Sequence, residues 1–224
     1  MSDFIPRKAV LLKELEENRN GYNNEEVVFS TDFSKSMEYY LKANYKIQPI
    51  AGKDYIAFTR ADIDKVDSLG GGYKVLYADL KKFSALRRLN VGDIVTENGE
   101  AVNLNKFTQL DRLWVELENS RRLVIDSCKR LKHLTVRGAN ALERLDLTNS
   151  CDSLKTLSLV SNGSTLKSVI LPNKKFLEDA RIEATGNGPA AHLDTLIIEG
   201  SGSTFLVYSL TNAEVQLVQL GNIG

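Results

Sequence analysis

Residues 81–91, KKFSALRRLNV, can be laid almost without gaps over NKFTQLDRLWV from Asn105, DSCKRLKHLTV from Asp126 and NSCDSLKTLSL from Asn149. The leading leucines, Leu86, Leu110, Leu131 and Leu154, are 24, 21 and 23 residues apart. A second series with the same L-x-x-L-x-L grammar falls between them: Leu142-Leu145-Leu147, Leu166-Val169-Leu171 and Leu193-Leu196-Ile198. Self-similarity at a fixed period of roughly 20 to 50 residues is the signature of a solenoid. Each unit is too small to bury its own apolar face, so it must stack on its neighbours.

Working outward, the rungs can be counted. One series leads with Leu86, Leu110, Leu131, Leu154, Leu177 and Phe205. The other leads with Val75, Gly99, Ser120, Leu142, Leu166, Leu193 and Val215. The Gly99 and Ser120 rungs keep the pattern only at their fourth and sixth positions, Val102/Leu104 and Leu123/Ile125. The two series interleave, so a coil of about 23 residues carries two extended segments. In a strand, alternate side chains face opposite ways; positions 1, 4 and 6 of a rung point inward, and 3 and 5 outward. The step from Leu177 to Leu193 is the exception, and its Ala184–Pro189 stretch predicts an insertion that bulges out.

This grammar, most strongly in TLKSVILPN at residues 165–173, resembles the leucine-rich repeat family in its BspA-like variety. The likeness covers roughly residues 73–224. It implies a mainly β solenoid, leucine-rich-repeat-like, of about six coils. Asparagine is not fixed after the third leucine: Asn149, Asn162 and Asn173 stand at differing offsets. Equal strand signals on both sides of the coil favour a flatter, two-sided solenoid with little helix.

Residues 1–67 lack the repeat and read as a small N-terminal α/β domain ahead of a solenoid over 68–224. Val10, Leu11, Leu12 and Leu15 have helical spacing within Arg7–Asn18. A turn at Asn20–Asn24 leads to a short strand at Glu26–Phe29. Ser30 or Thr31 then caps a helix with Phe33, Met37, Tyr40 and Leu41 on one stripe. Tyr45–Ile50 and Asp54–Thr59 flank Ala51-Gly52-Lys53 and predict a hairpin. This order resembles a winged helix lacking one helix, but its mixed charges do not suggest a DNA-binding face. Ser68–Gly72, with three consecutive glycines, reads as the joint; it lacks the downstream Lys-Ser/Thr of a phosphate loop.

Lys+Arg and Asp+Glu are both 29, so the chain as a whole presents no field that draws it to nucleic acid or membrane. No signal pattern opens the chain, and no apolar run of about 18 residues could span a bilayer. A cytoplasmic location is the expectation. Cys128 and Cys151 stand three residues before a leading leucine, where earlier copies have Phe83 and Phe107. A place that accepts Phe or Cys is inward, so both thiols read as small buried hydrophobes. A reducing compartment argues against a bond between them. A zinc site would need about four ligands, which His133 and His192 do not supply at any shared spacing. No cofactor is expected.

The outward pairs of the first series are Arg88/Asn90, Arg112/Trp114, His133/Thr135, Thr156/Ser158 and Asp179/Arg181. They put the only tryptophan on the solvent side near three basic residues. Trp and Arg dominate interface hot spots. Trp114, Arg112, Arg88, His133 and, from the second series, Arg122 are therefore the expected contacts for a protein partner. Toward the C-terminus the second series turns apolar, with Ile170, Ile197 and Leu217 outward, and Phe205 and Tyr208 lie in a stretch without charge. Terminal repeats need a polar outer face, so these five residues form an expected partner or self-association interface. No H-E-x-x-H, G-x-S-x-G or Walker loop occurs. The expectation is a non-enzymatic protein-binding module; the alternatives are a self-assembling structural subunit and, less favoured, a nucleic-acid binder.

Overall fold

The computed structural model describes residues 16–30, 34–161, 165–184, 193–200, 204–208 and 218–220. The chain divides into two compact units, Met1–Val66 and Asp67–Gly224.

The first unit contains helix α1 (16–23), strand β1 (Glu26–Phe29), helix α2 (Ser34–Tyr45), strand β2 (Ile56–Thr59) and the short helix α3 (Arg60–Ile63). α1 runs on through Gly21, where the sequence suggests a turn. Met37 and Leu41 of the α2 stripe are buried and Tyr40 is half-buried, while Thr31 and Phe33 lie outside the described residues. The predicted hairpin over 45–59 does not form. β2 pairs antiparallel with β1 instead, with Val27 opposite Phe58 and Phe29 opposite Ile56. The reason is local: Lys46 takes a left-handed φ of 58°, and Pro49 has no N–H to give a ladder. One backbone bond, Ile50 N–H to the Ala57 carbonyl at 2.8 Å, is what remains of it. On β1, Val27 and Phe29 alternate as inward residues, and the Phe29 and Phe58 rings meet edge-on at 5.6 Å.

The second unit is a β-solenoid of about five turns with little helix. Its strands are β3 (Ser68–Leu69), β4 (Val75–Leu76), β5 (Arg88–Val95), β6 (Val102–Asn103), β7 (Arg112–Glu116), β8 (Leu123–Val124), β9 (His133–Arg137) and β10 (Arg144–Asp146). They continue as β11 (Thr156–Ser161), β12 (Ser168–Lys174), β13 (Asp179–Ala184), β14 (Thr195–Gly200), β15 (Thr204–Tyr208) and β16 (Val218–Leu220). A long parallel sheet runs in the order β3, β5, β7, β9, β11, β13, β15. The other side of the coil is made of shorter ladders, β6–β8 and β10–β12–β14–β16.

Both leucine series meet in the core. Leu86, Leu89 and Val91 and their counterparts up to Leu177, Ala180 and Ile182 are buried from one side. Leu142, Leu145, Leu147 and their counterparts up to Leu193, Leu196 and Ile198 are buried from the other. The corner between the series is the same in successive coils. The N–H of the inward corner residue bonds back three residues, and its carbonyl accepts from the leading leucine three residues on. Phe107 does this with Leu104 and Leu110, and Cys128 with Ile125 and Leu131.

The sequence predicts about six coils, and the difference lies at the start. The Val75 rung is not a stacked rung: Val75 and Leu76 pair with Ile94 and Val95, and Tyr77–Leu80 forms a helical turn, α4. The Tyr77 hydroxyl donates to the Asn103 carbonyl at 2.8 Å and accepts from the Asn103 N–H, so α4 stands where a strand would pair with β6. β3 and β4 both pair with β5. The outer side of β5 is thereby taken up by two strands of two residues each, so the long sheet ends in very short edge strands that offer little ladder for aggregation. Gly71 and Gly72 make the crossing possible with φ of 127° and 65°.

Candidate functional site

The strict register of the long sheet builds columns on its outer face. Position 3 of each rung stacks Arg88 beside Arg112, then His133, Thr156 and Asp179. Position 5 stacks Asn90 beside Trp114, then Thr135, Ser158 and Arg181. Neighbouring strands are spaced by about 4.8 Å. Trp114 therefore belongs to the column next to the basic one, and its indole is half-buried rather than fully solvent-exposed.

Arg88 and Arg112 are exposed, and neither forms an ion pair among the described residues. The nearest acid in sequence, Asp111, is engaged by Arg87 at 3.6 Å. His133 Nδ1 lies 3.0 Å from the Thr156 hydroxyl. Partial burial, and next the Arg112 charge, hold the His133 imidazole below the usual histidine range. At neutral pH this column therefore offers two guanidinium charges and one neutral, hydrogen-bonding ring.

Arg122 does not join them. It sits on the short-strand side of the coil, in an isolated bridge with Arg144. Ile170 and Ile197 are in register on β12 and β14, both half-buried, with Gln219 next in line. Leu217 lies outside the described residues, and Phe205 and Tyr208 are placed only as part of the β15 backbone. The 184–189 loop lies outside the described residues from residue 185 onward.

Two features escaped the sequence reading. Lys174 stands three residues before Leu177, at the inward corner place held by Cys128 and Cys151 in the preceding coils, and is 2% exposed. Its Nζ donates to the Ser150 carbonyl at 2.6 Å, and burial lowers its pKa. The spacing alone pointed to it. The second feature is a polar cleft beside Arg122, lined by Arg121, Arg144 and three carboxylates; consecutive arginines in a non-alternating rung were its only trace.

Among the described residues no helix is long and apolar enough to cross a membrane. No family model matches this chain, and neither does any curated protein or any solved structure.

Proposed function

We infer that this chain is a non-enzymatic protein-binding module whose partner lies on the outer face of the long sheet. The observation that carries the reading is a half-buried lone tryptophan flanked by two in-register arginines that form no ion pair among the described residues. Such a patch gives an aromatic anchor that is already partly desolvated, with charged donors around it to set orientation. Trp114 is the anchor, Arg88 and Arg112 meet acidic or polar groups of the partner, and His133 contributes a hydrogen bond. The repeat is leucine-rich-repeat-like in this reading, the first unit is a small α/β domain, and the free thiols fit a cytoplasmic setting. No cofactor is required.

Trp114→Ala tests the reading by affinity capture from the native cell. The fold should persist, because the indole is not among the core side chains. Loss of a hot-spot anchor costs about 2 kcal/mol or more, so partner recovery should fall at least tenfold. Undiminished capture by Trp114→Ala and by Arg88→Ala/Arg112→Ala would remove this face from the interface.

A second reading has one observation in its favour. The outward pair Ile170 and Ile197 forms a short apolar column on the short-strand side. Self-association through the C-terminal coils would cover it, and light scattering across a concentration series separates that outcome from hetero-partner binding. Nucleic-acid binding by the first unit or the Arg/Trp columns is the least favoured alternative; it would show itself as a steep salt dependence of capture.

A further inference from the structure

The short-strand side of the solenoid is interrupted once among the described residues. β10, β12, β14 and β16 pair in sequence, and β6 pairs with β8, but between β8 and β10 the ladder shrinks to one bridge, Arg122 with Arg144, and the Glu143 N–H donating to the Arg121 carbonyl at 3.2 Å. At that interruption lies a cleft of about 630 Å³. This volume is in the range of small-molecule sites.

Its lining is unusual for a mere packing defect. Only Leu123 and Val124 are apolar; the rest is charged or amide. Arg121 and Arg122 are exposed and make no ion pair among the described residues. Arg144 is held by Asp146 at 2.5 Å, and Asp146 also accepts from the Thr148 N–H and hydroxyl. The acid next to Arg144 is thus spent on orienting it. Asp126 and Glu143 carry carboxylates without an ion-pair partner among the described residues, and Asn149 adds an amide.

We propose that this cleft binds a small polyhydroxylated phosphate ester, with Arg121 and Arg122 taking the phosphate. A guanidinium presents a planar fork of donors that matches phosphate oxygens. Asp126 and Glu143 are acceptors only, and they suit the hydroxyl groups of the same ligand. A hydrophobic ligand is excluded by the lining. A nucleic-acid strand fits poorly, because the lining offers no aromatic ring as a stacking platform. The site lies on the other sheet from Trp114, so it stands or falls independently of the protein-binding face.

The test uses the full chain and isothermal titration with four probes: glucose 6-phosphate, inorganic phosphate, glucose and a short oligothymidylate. Glucose 6-phosphate should bind saturably, phosphate more weakly and glucose not at all. Arg121→Gln and Arg122→Gln should each weaken glucose 6-phosphate at least roughly tenfold, with an unchanged circular dichroism spectrum. Arg137→Gln, on the long sheet, should leave binding as it is. The proposal is overturned by absence of saturable binding at about 10 mM. It is equally overturned by affinity that survives both arginine variants, or by tighter binding of the oligonucleotide than of the sugar phosphate.

Discussion

Gly92 shows how much one residue carries at the first edge. A Cβ there would lie 2.7 Å from the Gly72 carbonyl oxygen, which is backbone, so the chain itself would have to shift. Gly92→Ala should therefore destabilise the solenoid unit by about 1–3 kcal/mol, read as a lower urea midpoint. Gly21, in α1 with open space around it, gives the contrast: alanine there should stabilise by about 0.5–1 kcal/mol. The thiols make a second argument at this scale. Burial pushes Cys128 up to about 12 and Cys151 to about 11 from 9.0. The native chain then keeps protons that the unfolded chain releases above pH 9. Stability falls with rising pH from there, by about 1.4 kcal/mol per unit for each thiol until its folded pKa is reached. Lys174, lowered by burial from 10.5, works in the opposite direction until the unfolded amine titrates. Urea midpoints of wild type should thus decline between pH 9 and 11, and a Cys128→Ala/Cys151→Ala variant should lack most of that decline. An equal slope in both proteins would show that the thiols are not held in the core.

At the scale of elements, most of the ladder was legible because a period-two pattern leaves little choice. Leu113 and Val115 cannot both be buried in β7 unless Arg112, Trp114 and Glu116 face outward, and that register then propagates to every stacked copy. The readings that failed concern segments where the pattern is two or three residues long. The hairpin over 45–59 looked local because a glycine turn joined two apolar stretches. Which strand β2 pairs with was decided by Pro49 and by the better-alternating β1, a contact between segments about thirty residues apart. The Val75 rung failed for a similar reason: Val75 and Leu80 are buried as the pattern asks, but through a strand end and α4 rather than a rung. Lys174 is a different case. Its spacing, three residues before Leu177, marks an inward corner, while a lysine's charge alone argues against burial. The amine is accommodated because a carbonyl of the preceding coil, that of Ser150, receives it.

Across the whole molecule, the candidate site was half legible. Inward and outward faces followed from the repeat, so Trp114, Arg88, Arg112 and His133 could be named as outward neighbours. Which sheet a residue occupies does not follow from its position within a rung, because both series share one grammar. That is why Arg122, outward in the second series, was grouped with a face on the other side of the coil. The break between β8 and β10 was hidden for the same reason: the Ser120 rung keeps its inward residues Leu123 and Ile125, and nothing in their spacing reveals a lost ladder. The parallel stacking itself has a mechanical consequence. Each strand of the long sheet is gripped only by the coil before and the coil after, so tension applied to the C-terminal end loads one ladder at a time. In an optical trap the solenoid should surrender successive coils, each releasing about 23 residues or roughly 8 nm of slack chain. A single rip freeing the whole unit at once would mean that the coils share a bond stronger than their ladders.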